Sequence, residues 1–275
     1  NLLDKMIEKV EKARAKGLKI TADMYTYNAS STGLTGVIPT WVQEGGHRAW
    51  INRMQESGPR KRVIEDIRKE LLQQAPEGIL MVGFNKEAMA EKYMGMTIAQ
   101  VAKIRNQTPE ETIVDLVIED DSRIQCIYFS MSEDNIRKKI KLPWVSFCSD
   151  AGSFSDPSEK FRTHPRAFGS FIRVLGKYSR DEGLITLEEG IRKLTGFPAQ
   201  NLGLKDRGFL KEKFYADVIV FDPKEVRDNA TFDDPIQYAE GIEHVLVNGK
   251  QVLENGEHTG VFSGKFVKGP GYKDN

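Results

Sequence analysis

The chemistry in this sequence gathers at the ends of two elements. Trp144 to Asp150 alternates, with Ser146, Cys148 and Asp150 on one side of a strand and Val145 and Phe147 on the other. Small residues leading to one carboxylate at a strand's C-terminal end suit a barrel interior with a site at its mouth, where Asp150 can take up and return a proton. The same residue opens Asp-Ala-Gly, a turn-prone run in which it would only cap its own turn. Arg166 follows Pro165 at the start of a helix. A planar guanidinium there either holds a carboxylate through paired hydrogen bonds or sits on a solvated first turn. His164, just before the proline, borders a site or acts as a local cap. Tyr25 and Tyr27 share a strand face with Asp23, so their hydroxyls either assist in holding a carboxylate or belong to ordinary aromatic packing. Ser149 and Cys148 have no base placed near them and read as packing residues rather than nucleophiles.

The elements that must position these groups follow from periodicity. Leu3, Met6, Val10 and Ala13 mark an amphipathic helix stopped at Lys16-Gly17, and Leu18 to Tyr27 alternates as a strand. Between Asn28 and Leu142 the pattern changes. A charged helix (about 59–74), a strand (79–82), a helical stretch (97–118) split by the cap Thr108-Pro109-Glu110-Glu111, a strand (124–130) and a helix (133–140) follow one another. Too long for a loop, this stretch (29–142) reads as an inserted subdomain or lid. Its Met81, Met89, Met94 and Met96 line a pocket or, the commoner fate, fill the lid's own core. After Trp144–Asp150 a polar loop leads to a helix from Arg166, with Phe168, Phe171, Ile172, Leu175 and Tyr178 on one stripe. A second helix runs from the capping box at Thr186 to a stop at Gly196-Phe197-Pro198. Beyond Gly203 the chain turns to β structure. Ala216 to Phe221 is a strand, and Asn248-Gly249 between two apolar runs is a type I′ hairpin signature.

Composition narrows the partners. The 275 residues carry 40 basic and 40 acidic side chains, a formal net charge of zero, with no block of one sign, which argues against nucleic acid or an anionic membrane. Cys126 and Cys148 lie inside apolar strand-like runs and read as buried thiols of a reducing compartment. No apolar run approaches the ~20 residues of a membrane span and no signal segment opens the chain, so a cytoplasmic protein is expected. The chain begins with Asn in the middle of a helical pattern, as if cut from something longer.

Several motifs in collinear order carry a family likeness. They are Ile20-Thr-Ala-Asp-Met-Tyr-Thr-Tyr27, Ala29-Ser-Ser-Thr-Gly-Leu34, Pro39-Thr-Trp-Val-Gln-Glu-Gly-Gly46, Phe129-Ser-Met-Ser-Glu-Asp134, Ser149-Asp150, His164-Pro-Arg-Ala-Phe-Gly169, Leu202-Gly-Leu-Lys-Asp-Arg-Gly208 and Ala216-Asp-Val-Ile-Val-Phe-Asp-Pro223. Together they resemble the N-acyl-D-amino-acid deacylases, or D-aminoacylases, of the amidohydrolase superfamily, and the likeness is to the C-terminal half of such an enzyme.

The resemblance implies an α/β fold: the last two strands and helices of a metal-dependent (β/α)₈ barrel, a long inserted lid and a small satellite β-domain. Residues 1–28 would hold strand seven with its preceding helix, 29–142 the lid, 143–202 strand eight and the following helices, and 203–275 part of the β-domain. It implies zinc-dependent hydrolysis of the N-acyl amide bond of N-acyl-D-amino acids, with Asp150 as proton acceptor and metal ligand. Arg166 would grip the substrate's α-carboxylate, with Tyr27, Tyr25 and His164 as lesser contacts. The family's metal-binding histidines come from strands one to six, and the histidines here, His47, His164, His244 and His258, form no His-x-His pair. Zinc is therefore expected in the complete enzyme and not in these residues alone, and the N-terminal half of the barrel is the expected partner. Two other functions remain: a cyclic-amide hydrolase of the hydantoinase or dihydroorotase kind, against which Arg166 and the long lid argue, and a non-catalytic partner domain.

Overall fold

A computed structural model describes residues 2–152 and 162–273. Most of the polar loop between Asp150 and His164 lies outside the described residues. The chain divides into two compact units. The first comprises Asn1–Tyr27, Glu133–Gly152 and Pro165–Asn275, and the second Asn28–Ser132 and Ser153–His164.

In the first unit Ala22–Met24 runs parallel to Val145–Phe147, with Asp23 opposite Ser146 and Met24 opposite Phe147. Parallel neighbours in this order are what two successive barrel strands would give. Both strands are shorter than their sequence patterns, 18–27 and 144–150, because each has one hydrogen-bonded neighbour and the alternating residues beyond it find no ladder. Leu18, at the start of that pattern, is exposed. Met24, Val145 and Phe147 pack with Ile136, Ile140, Trp144, Val174 and Tyr178 into this unit's core. The helix Glu133–Ile140, which the periodicity assigns to the inserted stretch, contributes to that core.

A buried amine ties this region together. Lys193 Nζ, on the helix Leu187–Leu194, donates to the carbonyl oxygens of Ile140 at 2.7 Å and Leu142 at 2.5 Å, just ahead of the strand that ends near Asp150. Burial pushes its pKa down to about 8. That helix starts where the capping box predicts, with Thr186 accepting from the backbone of Glu189. The expected stop at Gly196-Phe197-Pro198 is instead a new start. The helix Gly196–Asn201 begins there with Pro198 in its first turn, where a missing N–H costs nothing. The single helix expected from Arg166 is two pieces, Arg166–Gly169 and a π-helical stretch Val174–Asp181, and Phe171 faces solvent rather than the stripe.

The C-terminal strands Val218–Phe221, Ile242–Val247, Lys250–Glu254 and Glu257–His258 form an antiparallel sheet in sequence order. Asn248 and Gly249 have φ of 52° and 78°, the two left-handed residues a type I′ hairpin needs.

The second unit closes on itself. Its sheet pairs Ser30–Gly33 and Ile79–Gly83 on either side of Gln125–Tyr128, all antiparallel, against a core that includes Leu34, Met54, Ile67, Met81, Ile113 and Leu116. The predicted split of 97–118 is present: Ile98–Arg105 is capped by Thr97 and Pro109–Asp120 by Thr108, each a reciprocal capping box. Met81 is core and Met89 and Met96 pack against it.

Candidate active site

Of the groups singled out in the sequence, Asp150, Arg166 and Tyr25 converge beyond the C-terminal end of Val145–Phe147. Beyond that strand the backbone N–H of Cys148 donates to the Met24 carbonyl at 3.0 Å, so the two strands stay paired for one further residue. Two residues on, Asp150 takes φ of 49°, the left-handed region that Asp tolerates better than most side chains. Its carboxylate points outward and is 62% exposed, whereas the Arg166 side chain is 9% exposed. The two meet at 2.8 Å between Asp150 Oδ2 and Arg166 Nη1.

Arg166 is held in place by more than this pair. Its guanidinium carbon lies 4.5 Å above the ring of Tyr25, a cation-π stack, and the Tyr25 hydroxyl is in hydrogen-bonding contact with the same guanidinium. Burial raises the Tyr25 pKa and the arginine opposes that rise, so the phenol stays neutral and able to donate or accept. A buried, stacked guanidinium beside an exposed carboxylate can receive a planar anion while the carboxylate handles a proton.

Tyr27 is placed differently. Its hydroxyl donates to Asp228 Oδ2 at 3.1 Å and contacts the Ala230 carbonyl at 3.4 Å, and its ring lies 4.7 Å beneath Arg173, which is itself bound to Asp228 at 2.8 Å. Burial and the Asp228 charge push the phenol pKa far up. The structure therefore brings Tyr25, Asp150 and Arg166 together and gives Tyr27 another set of partners. His164 is buried, with Nε2 2.9 Å from the carbonyl oxygen of Ala29, a contact between residues 135 positions apart in the chain.

The Cys148 thiol is half-buried, and burial, followed by the Asp23 carboxylate, pushes its pKa up to about 12. Cys126 is fully buried.

Among the described residues, no three His, Cys, Asp or Glu side chains come together in a way that could hold a metal ion. The histidine rings have other partners: His47 bridges Asp121 and Trp50, His164 meets Ala29, His244 contacts Gln251, and His258 accepts from the Gly260 amide.

With this geometry in view, comparison with known proteins is informative. Residues 129–253, spanning Asp150 and Arg166, match the amidohydrolase family. More particularly, the chain is similar to N-acyl-D-glutamate deacylase of Alcaligenes xylosoxydans xylosoxydans, 34% identical over 244 residues that make up 89% of this chain and 40% of that protein. Among solved structures, D-aminoacylase superposes with a TM-score of 0.70 at 30% identity, covering 94% of this chain and 44% of the other. N-acyl-D-glutamate deacylase from Bordetella bronchiseptica, complexed with zinc and a phosphonate that mimics the tetrahedral intermediate, superposes at 0.68 with 28% identity over 90% of this chain and 43% of that one. The likeness to the N-acyl-D-amino-acid deacylases read from the motifs is thus found independently in sequence and in fold. The chain spans 32–40% of the length of the curated relatives it matches. No helix among the described residues is long and apolar enough to cross a membrane.

Proposed function

We propose that this chain is part of an amidohydrolase that cleaves the N-acyl bond of N-acyl-D-amino acids, releasing a carboxylate and a D-amino acid. The observation that carries the proposal is the Asp150–Arg166 pair at the end of a parallel strand. In such a substrate only the α-carbon and the amide nitrogen separate the α-carboxylate from the scissile carbonyl, so the anion clamp and the proton acceptor must be close neighbours. The 2.8 Å contact satisfies that requirement.

On this reading Arg166 turns its guanidinium to the α-carboxylate, with Tyr25 fixing the plane of the guanidinium. Anchored there, the amide lies beside Asp150, which accepts a proton from the attacking water and returns it to the departing amine. The similarity to a zinc-bound relative supports zinc in the complete enzyme, where it would polarise the carbonyl and acidify the water. The donors assembled among the described residues do not make that site, and the roles of Asp150 and Arg166 are derived without it. The reading of these strands as seven and eight of a barrel, with the second unit as an inserted subdomain, belongs to the same proposal.

The complete protein, assayed for release of free amino acid from N-acetyl-D- and N-acetyl-L-amino acids, tests this. Turnover confined to the D series is expected. Equal turnover of both series, or activity only on cyclic amides, would overturn it.

A further inference from the structure

The ring stacked on Arg166 belongs to Tyr25, one residue past the end of the three-residue strand Ala22–Met24. The two residues that follow hold that strand end. Thr26 is fully buried; its hydroxyl donates to the Ser170 carbonyl at 2.9 Å, and its own carbonyl accepts from the Tyr178 hydroxyl at 3.3 Å. Ser170 directly follows the helix Arg166–Gly169, so the Thr26 bond joins the chain beside Tyr25 to the element that carries Arg166.

Tyr27 makes a second joint through Asp228. The Asp228 side chain is 8% exposed, and its Oδ2 accepts both the Tyr27 hydroxyl at 3.1 Å and Arg173 Nη1 at 2.8 Å. Arg173, three residues after Ser170, lies 4.7 Å over the Tyr27 ring, whose edge meets Phe232. A carboxylate buried this far is costly unless donors satisfy it, and here two of them do, one from each side of the joint. The helix of Arg166 comes up against the same point. A Cβ added at Gly169 would collide with the Tyr27 hydroxyl and stand 3.1 Å from the Asp228 Cβ, so the approach requires glycine.

We infer that Tyr27 and Asp228 are positioning residues: the Tyr27–Asp228–Arg173 cluster, seated on Gly169, sets the Tyr25 ring against the Arg166 guanidinium and thereby the affinity for the substrate's α-carboxylate. Both act through Tyr25 and Arg166 rather than on the substrate. The α-carboxylate as ligand rests on the function proposed above; the cluster rests on its own contacts.

The complete protein tests this with two readouts. Tyr27→Phe keeps the ring beneath Arg173 and loses the bond to Asp228, so KM for an N-acetyl-D-amino acid is expected to rise about tenfold with kcat within about twofold. KM for an acyl amine lacking the α-carboxylate stays within about twofold, and Tyr27→Phe adds nothing further in an Arg166→Ala background, since both changes act on one contact. Gly169→Ala, whose methyl group displaces the hydroxyl, raises KM at least as far. Equal increases on both substrates, or an undiminished Tyr27→Phe effect in Arg166→Ala, would reduce the cluster to ordinary packing and overturn the inference. The second readout needs no turnover. The Gly169 amide donates to the Pro165 carbonyl at 3.0 Å, and its hydrogen exchange should quicken about tenfold in Tyr27→Phe and in Asp228→Ala, with amides of the strand Gln125–Tyr128 unchanged. Unchanged exchange at Gly169 in both variants would also overturn the inference. A wild-type protein with no turnover of D-substrates overturns the proposed function instead, and exchange at Gly169 still decides the cluster.

Discussion

The two compact units treat their apolar residues in opposite ways. In the second, three antiparallel strands and the capped helices Ile98–Arg105 and Pro109–Asp120 enclose Leu34, Met54, Ile67, Ile113 and Leu116 completely, and among its described residues only Leu72, Ile104 and Phe129 are exposed large apolar side chains. In the first, the parallel pair has one ladder, and Leu18, Ile219, Val220, Leu210 and Phe262 stand in solvent. Val218–Phe221 is apolar throughout yet has no fully buried residue. One region finishes its core with its own chain; the other leaves apolar strand residues in solvent and holds the Asp150–Arg166 pair.

The sharpest way to break this comparison is to cut into the closed core. Leu116→Ala is expected to cost about 2–5 kcal/mol, read from denaturant midpoints of the second unit's transition, because a fully enclosed site cannot relax around the cavity. A loss under about 1 kcal/mol would mean that core is not closed.

The next effects fall on the open side and appear in the complete protein. Asp150→Asn keeps shape and loses the proton acceptor, so kcat should fall at least about 10²-fold with little change in binding; a near-wild-type rate would remove Asp150 from the chemistry. Arg166→Ala removes a stacked, charge-assisted clamp worth about 1.5–3 kcal/mol, so KM for the α-carboxylate substrate should rise. An acyl amine lacking the carboxylate should be nearly indifferent to that change, and an unchanged KM would return Arg166 to a structural role.

Lys193 gives the comparison a pH axis. Its folded pKa of about 8 lies below the ordinary lysine value of 10.5, so above pH 8 the unfolded chain holds more protons and stability should climb as pH rises toward 10.5. The neutral amine still has two N–H groups for its two carbonyl partners, so the tie survives the loss of a proton. Lys193→Met should flatten that rise in unfolding midpoints measured across this range. The smallest effect is the counterpart of the first: Ile219→Ala, at a side chain 56% exposed, should change the stability of the 275-residue chain by no more than about 0.5 kcal/mol. A cost matching that of Leu116→Ala would erase the distinction between the units.

What could be read from the sequence divides along the same line. Signals that complete themselves within a few residues were legible: the caps at Thr108 and Thr186, and the Asn248-Gly249 turn. Strand alternation also sufficed to nominate Asp150, and a helix start to nominate Arg166. The attachment of Tyr27 to Asp228 and of His164 to Ala29 was not legible, because each joins residues far apart in the chain through a register no local pattern encodes. The strands around Asp150 ran short of their patterns for a related reason, since alternation records the burial a strand is built for rather than the neighbours it has.

The pairing of Ser30 with Tyr128 has a consequence for folding order. Ala22–Met24 and Val145–Phe147 are parallel, so no hairpin can join them, and roughly 120 residues must be looped out before they meet. Left as coil, that loop would impose a closure entropy growing with the logarithm of its length and would put the active-site strands among the slowest contacts to form. The second unit folds locally and, in doing so, sets the place where the chain enters beside the place where it leaves. A long loop becomes a short tether, and the strand carrying Asp150 is delivered to its partner by a segment that supplies none of the Asp150–Arg166–Tyr25 cluster.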